Sequence, residues 1–598
     1  MANGKVPSEG HDLLKKYTRT AHRITYFVTD SAFPFLPHEL IYTVILFSLL
    51  DVLELSAFVT ISKTLENLAE FVLSPSLLLH LTCVAMTSAV FTAALVAVVR
   101  MAITLILYYH GWLYEEIGKP PSLATKLFMV TMKLLSSRAH FFSFQGLLPW
   151  MMPPAVRDTV RQYLDTVRPL LSDEQLAVMK DQAEEFEKTV ANEIQRKLWM
   201  KWLISRNYLS DWWKEVVYMR HRSSLIYTNV ACADVIYQQT TTNQAARAAY
   251  VTLNRQLFCR DIFVRNTMKP ISLGVIPMCT TQYSDYHRSL RVPRETSDVM
   301  VRLSDARHIA VYSKGCWYKV NIFHGKRMLR PAELQRSLQQ ILDRDDTPQE
   351  GEKHLSALTA GSRDLWARIR REKFAEGVNK ESLSFIENAL EIVFLDDGET
   401  GYDEISILFG VSYQENVMRL YRDGRTETVR SCSTESCDFV RAMLDKNESD
   451  QTRMKLLRRA CDRHQAYYRN AMAGHGVDRH LFAMYVVSKY YGMSSPFLDN
   501  VFSMNYALST SQTPQHQMSE FTAALNKERD LFWPAGAFTC PEGSNYGVCY
   551  TVGATGDLLS FHVSSWKSLK HTDARRFRNT IIQCLREMKR MAESATRR

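Results

Sequence analysis

Residues 71–99 contain no Asp, Glu, Lys or Arg. A helix of ~20 apolar residues crosses a bilayer, so this run is long enough to span one with room for tilt, and longer than most core helices of soluble proteins. His80 and Pro75 lie near one end of it, where they cost least. An earlier apolar segment, 40–61, holds Asp51 and Glu54. Each acid would cost ~2.5–3.5 kcal/mol at a helix centre, so this segment spans only as the partner of the second, with its acids near the far interface. Lys15, Lys16, Arg19 and Arg23 precede the two segments, and Arg100, Lys119, Lys126, Lys133 and Arg138 follow them. Between them only Lys63 is basic, against Glu66 and Glu70. Short basic flanks stay cytosolic. The pattern predicts a two-helix transmembrane hairpin: a cytosolic segment 1–39, a first helix over 40–61, a loop over 62–70 and a second helix over 71–99, with both termini cytosolic. The N-terminus does not read as a signal peptide, being polar up to Tyr26.

Only this first fifth of the chain is so apolar, which excludes a polytopic transporter. Across 598 residues, 46% hydrophobic and 23% charged is an ordinary globular balance, excluding wholesale disorder and a coiled-coil rod. A net charge of +10 over such a length is weak support for a nucleic-acid partner, and none is expected. The 11 Cys make no C-x-x-C pair, and Cys432 and Cys437 come nearest to a cluster. No His/Cys grouping has metal-ligand spacing, so no metal is expected, and the compartment reads as reducing.

From residue 100 to 598 the periodicity is mixed α/β. Helical spacing covers 156–171, 176–203 and 481–491, and a basic amphipathic helix covers 574–591. Strand-like runs are 310–312, 317–323, 392–395, and a pair at 546–552 and 558–563. Gly325 marks a hairpin turn, and 343–353 is a polar loop.

No G-x-x-x-x-G-K-[ST], G-x-S-x-G or H-E-x-x-H occurs, so the usual nucleotide, esterase and zincin signals are missing. Three polar clusters stand out: 423–437, opening Asp-Gly-Arg-Thr-Glu-Thr-Val-Arg; 476–480, Gly-Val-Asp-Arg-His; and 508–514, Leu-Ser-Thr-Ser-Gln-Thr-Pro. Hydroxyls and Arg gathered this way suit a carboxylate and an oxyanion; spacing alone reads equally as turn and cap chemistry.

These clusters, with Tyr109-His-Gly-Trp112, Asn207-Tyr-Leu-Ser-Asp-Trp-Trp213, Leu358-Thr-Ala-Gly361, Gly424-Arg-Thr-Glu-Thr-Val-Arg-Ser-Cys432, Asp478-Arg-His-Leu481 and Ser509-Thr-Ser511, resemble the carnitine/choline acyltransferase family. The likeness is greatest to its palmitoyl-transferring members of the mitochondrial outer membrane. It covers nearly the whole chain, with Met152 standing where the family usually has a proline. The resemblance implies a coenzyme A-dependent acyltransferase body of two pseudo-symmetric α/β halves with the active site in a tunnel between them. It implies transfer of a long-chain acyl group from acyl-CoA to carnitine, both being substrates rather than resident cofactors, for mitochondrial fatty acid import and oxidation. Tyr413, Thr426 and Arg479 match the family's contacts to the carnitine carboxylate. A guanidinium is always charged and grips a carboxylate in a fork. Ser509, Thr510 and Ser511 match its Ser-Thr-Ser motif, with Ser511 the donor to the developing oxyanion.

One part of the pattern is missing. The reaction needs a general base to take the carnitine hydroxyl proton, and His suits it. In the family that His lies in E-H-x-x-x-D, yet none of the 17 His here follows a Glu. The resemblance runs through Phe394-Leu-Asp-Asp397 and Gly401-Tyr402 and resumes at Ser412-Tyr413, and the family's long intervening block is replaced by 403–411. The segment that meets coenzyme A goes with it, so the coenzyme A contacts are unknown. His480 beside Arg479 and His475 in Gly-His-Gly read as doing local structural work. An internal deletion there leaves the sheet incomplete, with an unpaired edge and exposed apolar faces.

Three readings follow: a shortened carnitine O-palmitoyltransferase-type chain, a catalytically inactive carnitine- or acyl-CoA-binding membrane protein, and a purely structural membrane protein. Retention of Tyr413, Thr426, Arg479 and Ser509 to Ser511 speaks against the third. Acyl-chain preference, malonyl-CoA sensitivity and oligomeric state are not legible.

Overall fold

In a computed structural model of the chain, the charge-free run from residue 77 onward folds within a 31-residue helix, Leu77–Leu107. Pro75 and the Ser76 cap, whose hydroxyl accepts from the Leu79 amide at 3.1 Å, start it later than position 71. Arg100 does not end it, because the guanidinium donates to the carbonyls of Asp30 (3.0 Å) and Phe33 (2.8 Å). The structure describes residues 29–55, 59–70, 74–116, 118–225, 230–232, 241, 243–286, 289–303, 306–348, 361–375, 377–395, 403–404, 420–424, 427–512, 536–541, 543–552 and 559–596. They form two compact units: residues up to 150 with 259–280 and 420–422, and residues 151–258, 281–419 and 423–598.

In the first unit, the expected helix over 40–61 is broken. Pro37–Val52 is helical for 16 residues and Val59–Ala69 is a second helix, occupying most of the expected loop. The break falls at Glu54, in the left-handed region at φ 54°, and Lys63 clamps it with a 2.7 Å ion pair. Sixteen residues reach ~24 Å, short of a ~30 Å hydrocarbon core. Among the described residues, one helix, within Leu77–Tyr114, is long and apolar enough to cross a membrane. The expected two-helix anchor is therefore one spanning-length helix with two shorter ones packed on it. Between residues 83 and 92 its buried side chains are short, Cys83, Val84, Thr87, Ser88 and Thr92, while Leu77, Leu78, Leu81, Met86, Val90 and Val98 point outward. Small residues let helices approach closely where lipid supplies no hydrophobic drive between them.

In the second unit, a four-stranded sheet runs Asp403–Glu404, Ile392–Leu395, His308–Ser313, Cys316–Asn321, with the middle two strands parallel and the others antiparallel. Period-two alternation sends its side chains to two cores. Ile309, Val311, Val393 and Leu395 pack with Ala248, Ala249, Leu253, Leu334 and Leu338 from the helices Gln244–Arg260 and Pro331–Leu342. Ala310 and Ile392 pack on the other face with Trp366, Phe374, Leu383 and Ile386 from Arg363–Lys373 and Gly377–Glu387. Among the described residues the Ile392–Leu395 strand is met on this edge at two positions, Val393 opposite Glu404 and Phe394 opposite Asp403, so the edge is not left wholly unpaired. A second sheet has the order Leu508–Gln512, Tyr546–Val552, Leu559–Ser564, parallel then antiparallel.

The strand and turn expectations lie within one or two residues of the observed elements at His308–Ser313, Ile392–Leu395 and Tyr546–Val552, and Gly325 turns at φ 57°. The run 176–203 is instead two helices, Asp173–Lys188 and Ala191–Ser205, the first opened by a Ser172/Gln175 capping box.

A buried acid binds the second unit together. Asp298 meets Arg291 Nε at 2.6 Å, Arg363 Nε at 2.7 Å and Arg222 Nη1 at 2.9 Å. Burial pulls the Arg363 guanidinium down to about 10 despite the Asp298 carboxylate. Removing the one acid leaves buried guanidinium groups uncompensated, so Asp298→Asn should destabilise by about 3–5 kcal/mol, read as a lowered thermal midpoint of the purified protein. A midpoint within error of wild type would show that the arginines find other counter-charges.

Candidate functional site

The site is assembled at the start of the helix Asp478–Tyr490. Its first turn has amide groups without intrahelical acceptors, and no side-chain cap on Val477 meets them. A buried carboxylate does so instead: Glu427 receives the Arg479 amide at 3.3 and 3.4 Å on its two oxygens, and the Thr428 amide at 2.9 Å. A negative charge at a helix N-terminus also suits the helix dipole. The carboxylate reaches this position because residue 476 is glycine. A Cβ there would lie 2.2 Å from Glu427 Cγ and 2.4 Å from its Cδ.

Arg479 is 8% exposed and lays its guanidinium 3.5 Å from the centroid of the Trp213 ring. Trp213 is held edge-on by Phe482 at 5.2 Å. The stacked plane fixes how the guanidinium presents its donors. The segment carrying Trp213 holds the approach to Glu427 as well. Asn207 Oδ1 accepts from the amides of Leu209 and Ser210 at 2.9 and 3.0 Å, and the Ser210 hydroxyl donates to the Asp423 carbonyl. Asp423 itself turns the chain at φ 54°.

A second ion pair ties this helix to the strand that follows. Arg430 is bidentate on Asp478, through Nε at 3.2 Å and Nη2 at 2.5 Å, and donates to the Tyr506 hydroxyl. Burial opposes its charge, yet the Asp478 carboxylate outweighs that and holds its pKa above the ordinary value. Two residues beyond Tyr506 the strand Leu508–Gln512 begins. Ser509 pairs with Gly547, Thr510 with Val548 and Ser511 with Cys549. Alternation leaves Ser509 and Ser511 half-buried on one face and Thr510 exposed on the other.

Arg479 and the Ser509 to Ser511 strand are thus linked through Asp478, Arg430 and Tyr506, while Tyr413 and Thr426 lie outside the described residues. Glu427, Gly476, Trp213, Arg430 and Asp478 were not among the residues expected from sequence. The signal for the first two was present: an acid inside an otherwise hydroxyl- and Arg-rich cluster, and a glycine two residues ahead of a helix.

His480 is fully buried and committed at both nitrogens. Gln195 Nε2 donates to the Pro154 carbonyl at 2.7 Å, which turns its Oε1 to accept from His480 Nε2–H at 2.9 Å. Nδ1 is left to accept from the Thr159 hydroxyl at 2.8 Å. Burial lowers its pKa to about 3. His475 is exposed in the turn, its amide bonded to the Asn470 carbonyl at 2.8 Å. Among the described residues no group of three His, Cys, Asp or Glu is placed to hold a metal. A cavity of about 730 Å³ lined by Arg294, Arg371, Phe374, Lys380 and Leu383 includes none of the candidate residues.

Two buried groups titrate with opposite sign. Burial, reinforced by Asp478 and opposed by Arg479, pushes Glu427 up to about 7. Its contribution to stability is therefore full below the ordinary carboxylate pKa and lost as pH rises through about 7. His480, depressed to about 3, contributes above its ordinary pKa and loses that as pH falls. Glu427→Gln removes the first effect, so stability should stop declining between roughly pH 5 and 8 and decline only on acidification. Denaturant midpoints across that range check this; parallel profiles for wild type and variant would rule out a titrating Glu427.

Two stretches of the chain, 153–408 and 402–583, match the choline/carnitine O-acyltransferase family. The two matched stretches meet at the short bridge where the sequence pattern is interrupted. The human liver isoform of carnitine O-palmitoyltransferase 1 is 32% identical, with 83% of this chain and 83% of that protein covered. The rat muscle isoform is also 32% identical, over 81% and 82%. Pigeon (Columba livia) carnitine O-acetyltransferase is 21% identical, over 76% and 95%. The liver-isoform alignment extends over 650 residues, more than the 598 this chain contains, so it includes positions of the relative with no counterpart here. On this match the chain belongs to the choline/carnitine O-acyltransferase family.

Proposed function

We propose that the protein is a membrane-anchored carnitine O-palmitoyltransferase homologue that binds carnitine and long-chain acyl-CoA but lacks the base needed for turnover. The observation that carries this reading is the coincidence of an ordered acceptor niche around Arg479 with a family match that breaks at 402–408. Carnitine is a small zwitterion. Arg479, stacked on Trp213, supplies a fixed cationic fork for its carboxylate, and Tyr413 and Thr426 add hydroxyl donors. Ser511 stands to stabilise the oxyanion formed when a hydroxyl attacks the thioester.

That attack needs a proton acceptor at the carnitine hydroxyl, which later returns the proton to the leaving thiol. His480 cannot fill the role, because both its nitrogens are engaged and it resists protonation until about pH 3. The likeness to carnitine O-palmitoyltransferase 1 supports a mitochondrial outer-membrane location. Leu77–Leu107 is the span that anchors it, with the shorter Pro37–Val52 helix packed beside it.

The purified, mass-verified chain should transfer no palmitoyl group to carnitine above a mock control; robust turnover would refute the reading. Carnitine binding by calorimetry should persist and weaken roughly 10–100-fold in Arg479→Ala, as expected for loss of charge-assisted hydrogen bonds. Equal affinity of the two forms would place the carboxylate elsewhere.

A further inference from the structure

We propose that Cys432 and Cys437 form a dithiol site that takes up an intramolecular disulfide by exchange with a low-molecular-weight disulfide. Their sulfurs lie 3.8 Å apart, with Cys432 exposed and Cys437 partly so. A disulfide needs ~2.05 Å, a closure that rotation of the exposed Cys432 side chain can supply. The corner that brings them together is built by a capping box. The Ser433 hydroxyl accepts from the Ser436 amide at 3.2 Å, and the Ser436 hydroxyl accepts from the Ser433 amide at 2.8 Å. The same Ser436 hydroxyl lies 3.2 Å from the Ser431 carbonyl, folding residues 431–436 back on themselves. Cys437 sits in the first turn of the helix Thr434–Leu444, its amide bonded to the Ser433 carbonyl at 3.0 Å.

The order of events follows from the two environments. Burial, together with the Cys437 sulfur, pushes the Cys432 thiol up to about 11, which disfavours it as the first attacker and leaves that step to Cys437. Its thiolate breaks the S–S bond of oxidised glutathione, forming a mixed disulfide and releasing one glutathione thiolate. With that sulfur capped, the Cys437 share of what raised the Cys432 thiol is removed, and burial remains. It attacks the Cys437 sulfur, forming the Cys432–Cys437 bond and releasing the second glutathione. The protein gives up two protons and two electrons, and one glutathione disulfide becomes two thiols. The new bond staples the segment bearing Glu427 and Arg430 to the following helix, placing the modification within a few residues of the acceptor niche.

The test uses the full chain in detergent micelles, reduced, equilibrated in glutathione buffers, quenched by alkylation and mapped by mass spectrometry. Cys461 and Cys584, exposed cysteines elsewhere, serve as internal references. The Cys432–Cys437 disulfide should form, without a glutathione adduct, at an oxidised-glutathione concentration roughly tenfold lower than that which half-modifies the references, because the second step is intramolecular. Cys432→Ser or Cys437→Ser should each leave a stable adduct on the remaining cysteine. Ser433→Ala, which keeps both thiols but opens the corner, should shift the midpoint severalfold toward more oxidant. Stable adducts on the wild-type pair, free thiols where the references are modified, or an unshifted Ser433→Ala midpoint would each overturn the proposal.

Discussion

A carboxylate placed under the first turn of one helix organises the second unit around the candidate site. Glu427 receives the Arg479 amide and lies against Gly476 so closely that no side chain fits there. That contact sets where the helix Asp478–Tyr490 begins and therefore where Arg479 emerges. Trp213 then fixes the guanidinium plane. Burying an acid at that point is tolerable because backbone amides, a helix dipole and a nearby guanidinium all act on it, and because it holds its proton up to about pH 7.

The adjoining ion pair extends the order outward. Arg430 joins Asp478 to Tyr506, and so joins the helix carrying Arg479 to the chain entering the Ser-Thr-Ser strand. Three residues beyond Arg430, the Ser433 cap opens the next helix. One short stretch thus connects the Arg479 helix, the Ser509 to Ser511 strand and the Cys432–Cys437 corner. In such a low-dielectric setting these polar contacts are strong when complete and costly when one partner is lost.

The imidazole next to Arg479 shows how burial can remove a group from catalysis. His480 is sequestered among Thr159, Gln195 and Tyr208, where the charged form is penalised and both nitrogens are occupied. A base needs a free lone pair facing the substrate and a pKa near working pH, and His480 offers neither. Among the described residues, the two-residue strand Asp403–Glu404 covers part of the Ile392–Leu395 edge, while helices cover both faces of that sheet.

Much of this was legible in the residues themselves. A long charge-free run reads as a buried or membrane-spanning helix, strand-like apolar runs marked 310–312 and 392–395, and period-two alternation marked 546–552, because these signals are local. Arg479 was also singled out from the sequence, through motif likeness and the chemistry of a guanidinium. Tertiary structure alone decided the rest. It broke the 40–61 segment at Glu54, where Lys63 and a left-handed turn outweighed apolar continuity. It chose Trp213 as the platform for Arg479, and it turned Glu427 inward against Gly476. Those outcomes depend on which distant side chains meet in space, and burial and pairing energies of that kind are properties of the packed chain rather than of any window along it.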